Sequence, residues 1–119
     1  MTESARRVRV AGEFRKVLAE EVQRLKDPRV GFVTITGVDV TPDLRRAVVF
    51  YTVLGEERDR RATAAGLRSA APRLRSELGR QIRLKFLPEL RFEQDEAVAQ
   101  GDRVEELLRR IHDEEEEEA

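Results

Sequence analysis

The 119-residue chain is 39% charged and 39% hydrophobic and has no cysteine, so disulfides and thiolate metal sites are excluded. This length suits one domain with one modest core, and no apolar run is long enough for a membrane span. The net charge of -1 averages a basic body and the acidic run Asp113–Glu118; without that run, 23 Lys or Arg face 18 Asp or Glu.

The first element is a helix over Ala5–Leu25. Val10, Phe14, Val17, Leu18, Val22 and Leu25 recur at spacings of three and four, and Ser4 is the candidate N-cap. Asp27-Pro28 ends it, because proline disfavours helical geometry in the residue before it. Residues 32–40 are rich in β-branched side chains and predict a strand, with Gly37 a candidate bulge. Thr41-Pro42-Asp43-Leu44 predicts a turn, and residues 46–53 a second strand. So short a connection predicts antiparallel pairing, closed by Gly55.

The stretch from Glu56 to Ala70 has helical propensity, and Pro72 interrupts it. Two helices are therefore expected, meeting at Ala70-Ala71, with the second running from Pro72 to about Lys85. A short strand over Leu90–Glu93 follows. A last helix carries Val104, Leu107, Leu108 and Ile111, with Asp95 or Asp102 as cap, and the glutamate run beyond is expected to be disordered. The fold class is α+β, a three-stranded sheet covered by helices. Periodicity leaves the strand order open.

Residues 1–112 are read as one domain and 113–119 as an acidic tail. Met1-Thr2-Glu3-Ser4 lacks the apolar stretch of a secretory signal, so a soluble, cytoplasmic monomer is expected.

Catalysis finds little support. His112, the one histidine, sits beside the acidic run and is read as a surface residue. Asp27, Asp39, Asp43 and Asp95 fall at turns or strand ends, where short acids cap backbone amides. The seven glycines never cluster into a phosphate-binding loop. No enzyme activity, metal or cofactor is expected.

Between Arg58 and Lys85 the chain has nine Lys or Arg and two acids, Asp59 and Glu77. At about 100° per residue, Leu74, Leu78 and Ile82 share one face of the helix after Pro72, while Arg73, Ser76, Arg80 and Arg83 take the other. With Arg61 and Arg68 on the adjoining helix, that stripe suits backbone phosphates. The expected RNA contacts are Arg68, Arg73, Arg80, Arg83 and Lys85, with Arg61, and with Arg45 and Arg46 at the hairpin end. Arg6, Arg7 and Arg9 add weaker evidence. Phe14, Phe32, Phe50, Tyr51, Phe86 and Phe92 all stand in apolar contexts and are read as core, so backbone and shape recognition is favoured over base stacking. An acidic protein partner would suit the same stripe, and a hydrolase acting on RNA is a distant third.

Local sequences add a resemblance that runs from about Arg6 to Ile111. It rests on Lys26-Asp27-Pro28-Arg29-Val30-Gly31, Val33-Thr34-Ile35-Thr36-Gly37-Val38, and Asp43-Leu44 leading to Ala47-Val48-Val49-Phe50. Leu74-Arg75-Ser76-Glu77-Leu78-Gly79 and Arg83–Phe92 followed by Asp95 complete it. In this order they resemble the ribosome-binding factor A family. The resemblance implies a type II KH-like domain without a Gly-x-x-Gly loop, and indeed no two glycines are three apart. It implies an interhelical kink at Ala70, Ala71 and Pro72, where proline stands in place of the glycine in the family's Ala-x-Gly. It further implies binding to the 30S ribosomal subunit through 16S rRNA, a role in late maturation and rRNA processing, and departure before translation with help from a ribosome-associated GTPase.

Overall fold

Val10, Phe14, Leu18 and Val22 recur every fourth residue, and burying that stripe holds residues Glu3–Gln23 in helix α1. The structure is a computed structural model describing residues 2–96. The last helix expected around Val104–Ile111, His112 and the acidic run lie outside the described residues. Thr2, rather than Ser4, caps α1: its hydroxyl oxygen accepts the Ala5 N–H at 3.1 Å.

Strands β1 (Phe32–Val40) and β2 (Arg46–Leu54) form the expected antiparallel hairpin, with partners running from Phe32↔Leu54 to Val40↔Ala47. The register shifts between Ile35 and Gly37, where the sequence places a bulge. In the turn, the Leu44 N–H donates to the Thr41 carbonyl at 2.8 Å, and the Asp43 carboxylate accepts from the Thr41 hydroxyl at 2.7 Å and the Arg45 N–H at 3.1 Å. Leu44 has φ 61°, a left-handed conformation that costs a non-glycine residue about 1–2 kcal/mol.

Helix α2 spans Glu57–Gln81 without a break, so one helix replaces the two expected. Pro72 gives no N–H to the Arg68 carbonyl, and a proline inside a helix costs about 3 kcal/mol. Leu67 before it and Leu74 and Leu78 after it are nonetheless all buried on one face. At about 1.5–3 kcal/mol for each buried leucine, keeping the face continuous outweighs the missing rung. The helix also ends at Gln81, before Arg83 and Lys85, which therefore belong to the loop that follows.

Strand β3 (Glu89–Gln94) lies parallel to β2, and the sheet order is β1-β2-β3. Both helices pack on one face, against Val33, Ile35, Val38, Val40, Ala47, Val49 and Tyr51, with Leu90 and Phe92 partly buried beside them. The result is an α+β fold of two helices over a three-stranded sheet. At the start of α2, the buried Thr63 hydroxyl accepts the Gly31 N–H at 3.2 Å and donates to the Arg29 carbonyl at 3.4 Å. Gly66 lets Val30 come close, since a Cβ there would stand 2.6 Å from Val30 Cγ2. These contacts hold the α1–β1 loop against α2.

The topology gives the sheet two distinct ends. At one end lie the start of α1, the hairpin turn, the end of α2 and the start of β3: Arg6 and Arg9 line a common cleft with Pro42–Leu44 and Ile82–Phe86, and Arg46 pairs with Glu89. At the other end, Gln23 Nε2 of α1 donates to the Val33 carbonyl at 2.9 Å, and β2 ends at Leu54.

Candidate nucleic-acid interface

The arginines of α2 do not form one stripe. Arg61 and Arg68 are seven residues apart and so stack along one line, as do Arg73 and Arg80. Arg68 and Arg73 differ by five residues, which sets the second line about 140° around the helix from the first. Several are also partnered by acids. Arg61 meets Glu57 at 3.4 Å, Arg80 meets Glu77 at 2.8 Å, and Arg46 of β2 meets Glu89 at 3.9 Å. Hydrogen bonds from Arg60 and Arg61 hold the Glu57 carboxyl below its ordinary range, and those from Arg80 and Gln81 do the same for Glu77. These pairs are solvent-exposed, so they add little to stability. They do reduce the positive charge offered outward.

Arg68, Arg73, Arg83 and Lys85 are exposed, and among the described residues no ion pair engages them. The loop after α2 brings Arg83 and Lys85 to the cleft end of the sheet, against Arg6 and Arg9 of α1. A shallow groove continues from there between α1 and the end of α2, past Arg9, Lys16 and Arg83. Arg45, from the hairpin turn, lies over the Phe86 ring at 4.1 Å from its centroid, and Lys85 lies at 5.6 Å. Three separate segments thus converge on one basic surface.

The loop carrying these residues is held firmly. Arg75 Nε donates to the Pro88 carbonyl at 2.8 Å and Nη2 to the Leu87 carbonyl at 3.3 Å. Pro88 is buried, and the Glu89 N–H donates to the Arg45 carbonyl at 2.8 Å. A Cβ at Gly79 would stand 2.5 Å from Leu87 Cδ2, so the glycine lets the Leu87 side chain lie close against α2. Arg75 therefore supports the loop from behind, and the sequence reading did not single it out.

Two further sequence expectations change. Phe86 is 45% exposed and Phe32 80% exposed, so neither is a core residue, whereas Phe14 and Tyr51 are buried as expected. Burial pushes the Tyr51 phenol up, against a hydrogen bond from Gln94. Arg6 and Arg9, weak as a sequence signal, become part of the cleft because α1 starts beside the hairpin turn. Ala70, Ala71 and Pro72 lie within α2, between its two lines of arginines.

Of the four acids read as caps, Asp27 and Asp43 accept a backbone N–H, whereas Asp95 accepts from a side-chain hydroxyl. Asp27 accepts the Arg29 N–H at 2.9 Å and its guanidinium at 2.6 Å, which lowers its pKa, and Asp95 accepts the Thr36 hydroxyl at 2.6 Å. Among the described residues no group of three or more His, Cys, Asp or Glu is placed to hold a metal ion, and no helix is long and apolar enough to cross a membrane.

Comparison with known proteins gives a consistent result. The family model described as ribosome-binding factor A matches residues 6–108. Ribosome-binding factor A of Geobacter sulfurreducens is 52% identical over 93 residues, 78% of this chain and 79% of the relative. That of an Anaeromyxobacter species is 51% identical over 111 residues, 92% of this chain and 80% of the relative. Among solved structures, ribosome-binding factor A of Thermus thermophilus superposes with a TM-score of 0.67 at 30% identity, covering 74% of this chain and 94% of that one. A homology model of the Thermus thermophilus protein fitted into a cryo-EM map of its complex with the 30S subunit gives 0.62 at 31% identity, with 72% and 91% covered. With the family match spanning nearly the whole described fold and half of the residues shared with these relatives, the chain belongs to the ribosome-binding factor A family.

Proposed function

We propose that this protein binds the 30S ribosomal subunit through 16S rRNA, assists its late maturation and rRNA processing, and leaves before translation. The observation that carries this reading is the convergence of Arg6, Arg9, Arg45, Arg83 and Lys85 at one end of the sheet, in a chain whose relative has been fitted into a 30S complex. Unpaired guanidinium and ammonium groups on a firmly held loop suit a folded phosphate backbone.

Arg83, Lys85 and Arg45 are the leading phosphate contacts, with Arg6 and Arg9 beside them. Arg68 and Arg73 are further contacts on the two separate lines of α2, and Arg46, Arg61 and Arg80 contribute less because acids already neutralise them. The segment Ala70-Ala71-Pro72 is proposed to serve as the family's kink by its missing hydrogen-bond rung, setting the line of Arg73 relative to that of Arg68. The protein acts by binding, not catalysis, as a cytoplasmic monomer without cofactor, its release assisted by a ribosome-associated GTPase. The domain is residues 1–112, and the acidic residues 113–119 discourage non-specific RNA contact by charge repulsion.

Co-sedimentation with purified 30S subunits tests the reading. The wild-type chain is expected to pellet with the particle, and the Arg83→Glu/Lys85→Glu variant to stay in the supernatant with its circular dichroism unchanged. Equal pelleting of the two would reject this surface. Retention of a protein partner after nuclease treatment, with loss of the 30S interaction, would favour an acidic protein as the ligand.

A further inference from the structure

The cleft between the start of α1, the hairpin turn and the loop after α2 has a volume of about 260 Å³. That is below the roughly 300–1,000 Å³ of pockets that enclose drug-sized ligands, and suits one flat ring system. Its floor is apolar, from Val10, Leu44 and Leu84, and Phe86 stands at its edge, 45% exposed and with Arg45 stacked on it. Glu13 and Asp43 also line it, so a phosphate within the cleft would meet two carboxylates. Hydrogen bonds from the Thr41 hydroxyl and the Arg45 amide keep the Asp43 carboxyl ionised, below its usual range. Basic side chains, two carboxylates and apolar groups thus line one cleft, and Phe86, one of its lining residues, carries the Arg45 guanidinium on its ring. The cations suit phosphates, and the interior suits an uncharged ring with amino donors at its edge.

We infer that this cleft holds a single unpaired nucleobase of the bound RNA, stacked on the Phe86–Arg45 pair, while Arg6, Arg9, Arg83 and Lys85 hold the flanking phosphates. The inference rests on the RNA-binding reading above and adds to it a site for a flipped-out base. Aromatic and guanidinium planes both stack bases, and carboxylates accept the amino groups of cytosine, adenine and guanine. The protein would therefore distinguish a strand with an accessible base from one of equal charge without bases.

The test uses the full chain and two end-labelled probes of equal length: an oligocytidylate and an abasic ribose-phosphate chain, compared by fluorescence anisotropy at one ionic strength. The wild type is expected to bind oligocytidylate about tenfold tighter than the abasic chain, within the range of base–aromatic stacking. Phe86→Ala should abolish that difference and Phe86→Trp restore it. Arg83→Glu/Lys85→Glu should weaken both probes alike. Because Phe86 is half exposed, Phe86→Leu provides a second non-aromatic variant that keeps its packing. Equal wild-type affinity for the two probes, or a preference that survives both Phe86→Ala and Phe86→Leu, would overturn the inference. Wild type that ignores both probes yet pellets with 30S subunits overturns this inference alone; failure to pellet overturns the reading beneath it.

Discussion

The two ends of the sheet are built from the same residue types and present different surfaces. At the cleft end, Arg6, Arg9, Arg45, Arg83 and Lys85 come from three segments and share two acids, Glu13 and Asp43, of which Asp43 is engaged in its own turn. At the far end, Arg60 and Arg61 both lean on Glu57, Arg29 on Asp27, and the exposed pair Phe32 and Leu54 lies at the open end of the hairpin. Arginine count alone would not separate the ends. What separates them is that the far-end cations pair with an acid two to four residues away, Arg60 and Arg61 with Glu57 and Arg29 with Asp27, whereas among the described residues no ion pair engages Arg6, Arg9, Arg45, Arg83 or Lys85. Local spacing neutralises charge, and long-range topology concentrates it.

The largest expected effect is on affinity. Arg83→Glu/Lys85→Glu should weaken 30S binding about 100-fold or more, at roughly 1.5–3 kcal/mol for each charged hydrogen bond lost. Arg60→Glu at the far end should leave it nearly unchanged, and equal losses measured by filter binding would erase the comparison. Next come two glycine substitutions, one at each end. Gly66→Ala drives a methyl into Val30 at the far end, and Gly79→Ala drives one into Leu87 beneath the basic loop. Gly66→Ala should lower the unfolding free energy by about 1–3 kcal/mol in urea titrations, whereas Gly79→Ala should change it less, since the half-exposed Leu87 tip can turn aside, and only Gly79→Ala should reduce affinity in the folded protein.

The sequence anticipates what local patterning controls. The stripe of α1, the hairpin with its bulge at Gly37 and the turn at Thr41–Leu44 all appear where the residues predict them. It misses what depends on partners distant in the chain. Pro72 reads as a break because its cost is local, while the burial of Leu67, Leu74 and Leu78 that overrides it is tertiary. The parallel placement of β3 is likewise invisible to periodicity. The basic residues were legible as types, but the wheel that placed Arg83 on a helix face assumed a helix continuing to Lys85. The cleft needs residues from 6–13, 42–44 and 82–86 together, a grouping that follows only once the hairpin and the α2 crossover return the chain to one end. Phe86 gave no signal of exposure, since its neighbours Leu84 and Leu87 are as apolar as those of a core aromatic.

A smaller effect concerns α2, which links the two ends. Pro72→Ala restores an N–H to the helix and should raise the unfolding free energy by about 1–3 kcal/mol. If the missing rung sets the relation of Arg73 to Arg68, as proposed, the same variant should bind 30S subunits more weakly despite being more stable. The smallest effect is with pH. The Asp27, Asp43, Glu57 and Glu77 carboxyls are lowered in the folded chain, so each stabilises it above the ordinary carboxylate pKa near 4 and loses that contribution as pH falls through the lower folded values. These groups should leave stability unchanged between pH 7 and pH 5.5 and reduce it below about pH 4. Thermal unfolding across that range checks the sign, and it should be shared by both ends.

The chain has no cysteine, so a single one can be introduced at either end and tethered to an iron chelate that cleaves nearby RNA by hydroxyl radicals. Tethered at Glu13→Cys beside the cleft, it is expected to cut 16S rRNA within the 30S complex at a small set of strong positions. Tethered at Phe32→Cys at the far end, it should cut weakly or not at all. Strong cleavage from Phe32→Cys with none from Glu13→Cys would contradict the assignment of the cleft end as the RNA-facing surface.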